Sequence, residues 1–444
     1  MLAAMPDSAP SPLVPGGVSP RAGGDACPGT LRLHRADDGA LARVRVPGGV
    51  LSADRADALL AAASRFGDGE LHLTSRGNVQ LRGLGAECGG ALAGVLGDAG
   101  LLPSAAHERA RNIVASPRAG LDGSPALGAW LSELDRLVCE SAAAAALSGR
   151  FLFALDSGRG DVDALGADVT LIAEGPGAAL LRVGADDELF RVPAADAPRA
   201  ALLAAEVFLR AARDSGAWRV KDLPDDVVRD LPGDVRAEVV RVIGSAAGPV
   251  VRRPRPRTAA VPAPGPLGPT AISVGVPLGR LAPAQWRLLT ETARRYGGEL
   301  RLTPWRGIVV PGPFPRDEAA QALRMLDAAG LITGPDSPWT GVGACIGRPG
   351  CGKSLSDVRA EAGAAVGPPG RLPVYWSGCE RRCGHPHGEW IDVVATPEGH
   401  RISHVRGERR DAPATVTAAS VREDSASVRD EPAALAAAVA AARA

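Results

Sequence analysis

An internal duplication constrains the fold of this 444-residue chain more than any other feature of its sequence. The segment ARVRVPGGVLSADRADALLAAASRFGDGELHLTSRGNVQLRG begins at Ala42, and a similar segment, ISVGVPLGRLAPAQWRLLTETARRYGGELRLTPWRGIVVPG, begins at Ile272. Three alignments anchor the two copies: Pro47 with Pro277, Gly67 with Gly297, and Thr74 with Thr303. Because a repeated sequence folds into a repeated structural unit, the chain must contain two copies of one unit.

Each copy has the pattern of a strand, a helix and a second strand. Val44 and Val46 alternate with arginines, as in a strand with one buried face. Ser52 is a candidate helix N-cap, and Pro283 suits the first turn of the second helix. The apolar positions of the helices follow helical spacing: Ala56, Leu59, Leu60 and Ala63 in the first copy, and Trp286, Leu289 and Ala293 in the second. This pattern predicts an α+β half-domain with a ferredoxin-like sheet.

The repeat continues more faintly beyond the half-domains. RNIVASPRAG, from Arg111, corresponds to VGACIGRPGC, from Val342, and FLFALDSG, from Phe151, to LPVYWSGC, from Leu372. The predicted units are a disordered leader (1–28), a half-domain (29–105), an α/β domain (106–249), a Pro-rich linker (250–269), a second half-domain (270–335), a second α/β domain (336–411) and an Ala-rich tail (412–444). The linker's prolines oppose regular strand ladders and favour an extended tether.

Charge and hydrophobicity exclude two classes of partner. The 50 basic residues balance the 50 acidic ones, which removes the general attraction to nucleic acid or anionic membranes. No run of about 20 apolar residues is long enough to span a membrane. No basic segment precedes an apolar run near the N terminus, as it would in a secretory signal. We therefore expect a cytoplasmic monomer that acts on small molecules or proteins.

Four of the seven cysteines lie between positions 345 and 383. Five residues (IGRPG) separate Cys345 from Cys351, and three (ERR) separate Cys379 from Cys383. Four thiolates satisfy the four iron corners of a 4Fe-4S cluster, and nearby positive charge tunes such a site. Structural zinc is the alternative, although its cysteine pairs usually have two to four intervening residues. The basic residues in these loops are Arg348, Lys353, Arg381 and Arg382, and the scattered cysteines without a predicted role are Cys27, Cys88 and Cys139.

The cysteine pattern, C-x5-C followed by SGC-x3-C, resembles the cluster motif of the nitrite and sulfite reductase family. The duplicated half-domains match that family too, and the resemblance runs from about Cys27 to Asp411, apart from the linker. It implies an α+β architecture with two ferredoxin-like half-domains, each followed by an α/β cofactor domain. It also implies a 4Fe-4S cluster on the four cysteines. In the family the last cysteine, here Cys383, bridges the cluster to a sirohaem iron, and a mononuclear iron is the alternative here.

The resemblance also implies a tetrapyrrole pocket. A tetrapyrrole carries many carboxylates, which arginine binds in bidentate fashion. The candidate tetrapyrrole-binding residues are Arg76, Asn78, Gln80, Arg109, Arg111, Asn112, Arg150 and Arg306, of which Arg76 and Arg111 match the family best. For each arginine the alternative is a solvated loop position. His385 and His387 could ligate a second iron, but we favour a supporting or surface role for both.

The residues at one pair of positions bear on which reaction the protein catalyses. The family's reductases hold a small anion with two lysines spaced K-x-K, whereas this chain has Arg150 and then Leu152. LTSRGNVQLRGL, ASPRAGLD and CIGRPGC look most like the branch of the family that hydroxylates precorrin-3A with O2 in aerobic cobalamin synthesis. No G-x-G-x-x-G follows a strand, so a separate reductase or ferredoxin must supply electrons. The alternatives are a sirohaem-dependent nitrite or sulfite reductase and a zinc-stabilised binding module without redox chemistry.

Overall fold

The computed structural model describes residues 27–244, 250–315, 317–386, 388–406, 409–410, 414–417 and 431–444. Most of the predicted leader lies outside these ranges, but Cys27 is buried, so the leader prediction extended too far. Within the described residues the strands form four sheets, two from the half-domains and two from the α/β domains. No helix among them combines the length and apolar character that a membrane span requires.

The two half-domains form one body because they exchange strands. The first contains β1 (His34–Ala36), β2 (Gly39–Val44), β3 (Val50–Ser52), α1 (Ala53–Phe66), β4 (Leu71–Leu73), β5 (Val79–Leu84) and α2 (Gly89–Asp98). The second contains β12 (Gly265–Pro266), β13 (Ala271–Gly275), β14 (Arg280–Leu281), α6 (Pro283–Arg295), β15 (Glu299–Leu302), β16 (Gly307–Pro311) and α7 (Glu318–Ala328). Strand β14 completes the sheet β1-β2-β5-β4-β14, and β3 completes the sheet β12-β13-β16-β15-β3. The duplication therefore produces a pseudo-symmetric pair.

The predicted helical stripes build the shared core of this pair. The Ser52 hydroxyl accepts a hydrogen bond from the Arg55 amide at 3.3 Å and so caps α1, as predicted. All seven predicted stripe residues of α1 and α6 are buried in one cluster that spans both copies. The Trp286 indole of α6 also donates to the Ala56 carbonyl of α1 at 2.8 Å. Burial of both stripes against each other joins the half-domains.

The first half-domain sheet is buried on both faces, which the alternation in its sequence did not predict. Arg43 and Arg45, expected on an open face, are almost fully buried. Gln80 and Arg82 of β5 are buried as well. The cause is a second layer, because Arg82 Nη2 reaches the Gly350 carbonyl of the second α/β domain at 2.9 Å. Alternation shows which residues share a face but not what covers that face.

The two α/β domains share the arrangement of their first two strands. The first contains β6 (Ile113–Ala115), α3 (Gly128–Glu140), β7 (Phe153–Asp156), β8 (Val169–Ala173), β9 (Ala178–Val183), β10 (Glu188–Pro193), α4 (Ala197–Ala211), α5 (Asp225–Ile243) and β11 (Val250–Arg252). The second contains β17 (Val342–Ala344), α8 (Val358–Ala364), β18 (Val374–Ser377), β19 (Glu389–Thr396), β20 (Gly399–Arg406), β21 (Arg409–Arg410), β22 (Ala414–Thr417) and α9 (Glu431–Arg443). In each domain the first two strands are parallel neighbours.

Strand register corrects one predicted alignment. Ile113 pairs with Phe153 as Val342 pairs with Val374, so the alignment of the second strands holds. The first strands, however, correspond two residues further along, with Ile113 rather than Arg111 equivalent to Val342. Ser116 is therefore the counterpart of Cys345. The Ser116 amide donates to the Leu155 carbonyl at 2.9 Å, and the Cys345 amide donates to the equivalent Trp376 carbonyl at 2.8 Å.

The linker and tail are more regular than expected. Val250–Arg252 forms β11 and pairs with β10, while Gly265–Pro266 pairs with β13. The prediction of a tether without ladders was wrong because the ladder residues lie at the two ends of the linker, where backbone pairing remains possible. Part of the tail lies outside the described residues, but α9 packs against β19 and β20 and so belongs to the second α/β domain. Arg443 donates there to the Leu372 carbonyl at 3.0 Å and the Thr340 carbonyl at 2.9 Å.

Candidate functional site

The four clustered cysteines lie at one edge of the second α/β sheet. Cys345 directly follows β17, and Cys379 is the second residue after β18. Because these two strands are parallel neighbours, their carboxyl ends lie at the same edge of the sheet. The pKa of Cys383 is raised to about 11, first by burial and then by the neighbouring Cys345 and Cys379 thiols. Burial also raises the pKa of Cys345, with contributions from Cys379 and Cys351. The fold therefore gathers the four predicted thiols into one interacting set.

Backbone amides surround these thiols. The Gly378 amide donates to Cys345 Sγ at 3.2 Å, and the Gly347 amide also bonds this sulfur. Gly378 has no room for a side chain, because a Cβ there would overlap the Ser354 hydroxyl. Gly347 has a φ of 69°, a conformation that favours glycine. The glycines of the motif thus allow the backbone to approach the sulfurs, as a cluster-binding loop requires.

Asp68, Glu70 and His72 are the one group of three potential metal ligands among the described residues whose ligand atoms lie within 4.8 Å of one another. The preference for iron over zinc at the four cysteines rests on their spacing in the sequence, where five residues rather than two to four separate Cys345 from Cys351.

The basic residues predicted around the cysteines have different roles. Arg382 is buried and pairs with Asp392 and Glu380, so carboxylates offset its charge. Arg348 donates to the Ser354 carbonyl at 2.8 Å, and Lys353 is exposed. Arg381 does act on a thiol, because its charge lowers the pKa of Cys383 against the raising effects of burial and the other thiols.

Sequence reasoning missed three side chains that bind the cysteine loops. Arg359 Nε donates to the Cys345 carbonyl at 3.3 Å, and the Tyr375 hydroxyl donates to the Cys383 carbonyl. Asp37 accepts a bond from the Gly352 amide, one residue after Cys351. Neither Arg359 nor Asp37 belongs to the cysteine motif, so only tertiary structure could bring them there. Tyr375 lies on β18, and strand alternation would have placed it on one face without naming its partner.

The first α/β domain holds a polar counterpart of the cysteine site. Ser116 Oγ accepts from the Ser157 amide at 3.0 Å, in the place where Cys345 Sγ accepts from Gly378. The buried Asp156 carboxylate accepts hydrogen bonds from four backbone amides, those of Gly158, Gly160, Val162 and Asp163. The pKa of Asp161 is raised to about 6, first by burial and then by Asp156. A carboxylate thus organises the loop that carries cysteines in the second copy.

A group of arginines lies where the first half-domain meets the first α/β domain. The pKa of Arg76 is lowered to about 10, first by burial and then by the positive charges of Arg219 and Arg45. Arg76 Nη1 and Arg45 Nη2 both donate to the Gly149 carbonyl, at 3.1 Å and 3.0 Å. Arg219 already pairs with the buried Asp168 at 2.9 Å, and Arg45 is 2% exposed and donates to Asn112 Oδ1 at 2.9 Å. Arg76 is therefore the member of this group best placed to bind a carboxylate. Sequence reasoning identified Arg76 but not Arg45 or Arg219.

Several predicted tetrapyrrole-binding residues instead hold the protein together. Arg111 forms a two-point ion pair with Asp135, with both distances 2.8 Å. Asn78 and Asn112 are fully buried and hydrogen-bond each other at 3.3 Å. Arg111, Asn78 and Asn112 therefore have internal partners that account for their presence without a ligand.

The remaining predicted residues are dispersed. Gln80 is buried within its sheet, and Arg109 is partly buried. Arg150 stacks over the Trp218 ring at 4.4 Å, beside the arginine group. Arg306 reaches the cysteine site, where Nη2 donates to the Gly384 carbonyl at 3.2 Å. His385 stacks on Trp390 with ring centroids 4.9 Å apart, and His387 lies outside the described residues.

Comparison with known proteins agrees with this architecture. Residues 33–87 and 267–329 match the nitrite/sulfite reductase ferredoxin-like half domain. Precorrin-3B synthase of Sinorhizobium sp is 28% identical over 407 residues, which cover 88% of this chain and 85% of that protein. Chloroplastic ferredoxin–nitrite reductase of Zea mays is 32% identical over 126 residues, which cover 26% of this chain and 22% of that protein.

A solved structure shows the same fold. The Mycobacterium tuberculosis NirA protein superposes with a TM-score of 0.65 and 21% sequence identity, covering 86% of this chain and 79% of that one. The predicted α+β architecture with a duplicated ferredoxin-like half-domain is confirmed. The chain therefore contains two nitrite/sulfite reductase ferredoxin-like half-domains and is similar along most of its length to precorrin-3B synthase.

Proposed function

We propose that this protein hydroxylates precorrin-3A at C-20 with O2, while an acetate side chain of the substrate closes a γ-lactone. The observation that carries the proposal is the similarity to precorrin-3B synthase along 88% of the chain, which includes both half-domains and both α/β domains. The match to ferredoxin–nitrite reductase extends over only 26% of the chain. A tetrapyrrole substrate would also supply a carboxylate for the guanidinium of Arg76.

The surroundings of Leu152 favour this reaction over nitrite or sulfite reduction. Leu152 stands where the reductases of the family have the second lysine of their anion cage. Its side chain is 3% exposed and packs in an apolar cluster with Val114 and Ala154. Arg150, at the first lysine position, is stacked on Trp218. A small anion would therefore lack one of the two cations that the cage needs. A large substrate with several carboxylates does not depend on that second cation.

The protein's own residues supply binding and orientation in this proposal. Arg76 binds a carboxylate of the substrate and so helps to fix which carbon faces the reacting oxygen. Cys345, Cys351, Cys379 and Cys383 would hold the 4Fe-4S cluster, which when bound passes electrons singly. One oxygen atom enters the substrate and the other leaves as water, so each turnover consumes two electrons and two protons. A separate reductase or ferredoxin delivers these electrons.

The isotope balance of the product tests the reaction. The purified protein is incubated with precorrin-3A, a reducing partner and ¹⁸O2, and the product is examined by mass spectrometry. We expect one ¹⁸O atom per product molecule and the mass of a hydroxylated lactone. Product that takes its oxygen from water, or efficient reduction of nitrite or sulfite under the same conditions, would overturn the proposal in favour of the reductase alternative.

Replacement of Arg76 by leucine should weaken binding of the tetrapyrrole. A charge-assisted hydrogen bond contributes about 1.5 to 3 kcal/mol, which corresponds to a drop in affinity of roughly tenfold to a hundredfold. Anaerobic titration of precorrin-3A into wild type and variant measures the dissociation constant without turnover. Arg136→Leu is the matched control, because Arg136 is exposed on α3 and pairs with Glu133 and Glu140 of the same helix. Equal affinities for wild type and Arg76→Leu would remove Arg76 from the site.

A further inference from the structure

Two arginines donate hydrogen bonds to the backbone that carries the cysteines, and they come from different parts of the chain. Arg359, on α8, reaches the carbonyl of Cys345 itself at 3.3 Å. Arg306, in the loop between β15 and β16, reaches the carbonyl of Gly384, the residue after Cys383, at 3.2 Å. The two guanidinium groups therefore lie beside the first and last cysteines of the site.

The charges of these two arginines are not offset by carboxylates. Their neighbours Arg82 and Arg280 pair with Asp38 and Glu70. In the portion of the chain that the structure describes, neither Arg306 nor Arg359 lies within ion-pair distance of a carboxylate. A partly buried guanidinium without a counter-ion is costly, so an anion is expected close to it.

The electrostatic setting of Arg359 shows how strongly positive this region is. The pKa of Arg359 is lowered to about 10, first by burial, then by Arg280, with Arg82 and Arg306 adding to the effect. Arg359 still carries its full charge at neutral pH. Positive groups gathered at this density repel one another, and a negative centre at the thiols would relieve the repulsion that Arg306 and Arg359 experience.

His72 holds Arg359 in place. Its Nδ1 lies 3.4 Å from Arg359 Nη1, and its ring is buried. The pKa of His72 is lowered to about 4, mainly by burial, so the ring is neutral at pH 7 and its Nδ1 can accept from the guanidinium. A neutral acceptor fixes the orientation of Arg359 towards Cys345 without cancelling its charge.

We propose that Arg359, together with Arg306, raises the reduction potential of the 4Fe-4S cluster held by the four cysteines. The inference rests on the proposed cluster and deepens it. One-electron reduction adds one negative charge to the cluster, and two nearby positive charges stabilise that reduced form more than the oxidised one. The paired arginines Arg82 and Arg280 contribute less, because Asp38 and Glu70 offset their fields.

The expected size of the effect follows from Coulomb's law. A unit charge about 10 Å from the centre of the cluster, at an effective dielectric constant of about 20, changes the equilibrium constant for reduction by roughly tenfold. A tenfold change in a one-electron couple corresponds to about 59 mV. Loss of either arginine should therefore move the potential to more negative values by an easily measured amount, and loss of both should move it further.

Anaerobic redox titration of the full-length protein, followed by the electron paramagnetic resonance signal of the reduced cluster, tests the proposal. The variants are Arg359→Gln, Arg306→Gln and the conservative Arg359→Lys. Arg371→Gln is the control, because Arg371 is exposed in the same domain and the substitution removes the same charge. We expect a more negative potential for both glutamine variants, a value near wild type for Arg359→Lys, and no change for Arg371→Gln.

The outcomes separate this proposal from the proposed function. Normal cluster content with an unchanged potential in Arg306→Gln and Arg359→Gln would overturn the electrostatic role alone. If Arg359→Gln does not fold, the other two variants still test the proposal. An unchanged potential in Arg306→Gln would contradict it, and so would a large negative shift in Arg359→Lys. A wild-type protein without iron overturns the proposal together with the cluster. A shifted potential in a protein that does not hydroxylate precorrin-3A would support this inference and contradict only the proposed reaction.

Discussion

Cys379→Ser should remove the iron–sulfur cluster from the protein almost completely. A hydroxyl is a poor ligand for iron, and the cluster needs a thiolate at each of its four corners. Cys379 lies immediately after Gly378, whose amide bonds Cys345 Sγ, so the backbone holds these two cysteines beside each other. Iron and acid-labile sulfide per chain measure the effect directly. The same result is expected for Ser at Cys345, Cys351 and Cys383.

Cys88→Ser is the matched control for the cluster measurement. Cys88 immediately precedes α2 in the first half-domain, and its thiol packs at the edge of the half-domain core. The same change from sulfur to oxygen should leave iron and sulfide content unchanged there. Full cluster content in Cys379→Ser would show that another set of ligands binds the metal, and the assignment of the four cysteines would be wrong.

Asp156→Ala should destabilise the first α/β domain strongly. Four backbone amides donate to this buried carboxylate, and each buried N–H left without an acceptor costs about 1 to 3 kcal/mol. Because such costs are not additive, we expect a loss of at least about 3 kcal/mol in the free energy of unfolding. Urea denaturation followed by circular dichroism measures it. Asp156→Asn keeps one acceptor oxygen and should lose less.

Asp230→Ala provides the control for charge. Asp230 is exposed on α5 of the same domain, so its removal changes the net charge equally but leaves no buried amide without a partner. We expect its unfolding midpoint to match wild type. If Asp156→Ala were as stable as wild type, water or another group would have to accept the hydrogen bonds of the four loop amides. The Asp156 carboxylate would then not be what organises this loop.

The duplication and the helical stripes could be predicted because both are local properties of the sequence. Spacing alone located Trp286, Leu289 and Ala293 in the core, and Ser52 as the cap of α1. The exchange of β3 and β14 between the half-domains could not be predicted. These strands have three and two residues, too few to show a period of two, and their partners lie in the other copy.

The cysteines could also be predicted from their spacing, whereas most of their surroundings could not. Arg359 and Asp37 reach the cysteine loops only through tertiary packing. Arg111 matched a family motif, yet it pairs with Asp135, which lies 24 residues further along the chain on α3. A basic residue in a motif shows that positive charge is present, but its partner depends on which helix packs beside it.

The anaerobic visible absorption spectrum of the purified wild-type protein, recorded together with its iron content, tests the central claim most directly. Iron–sulfur cluster, sirohaem and zinc give different spectra with the same protein. We expect iron and a broad brown absorption shoulder towards the blue that bleaches on reduction. A colourless protein that contains zinc instead of iron would contradict the account, because the four cysteines would then hold a structural metal without redox chemistry.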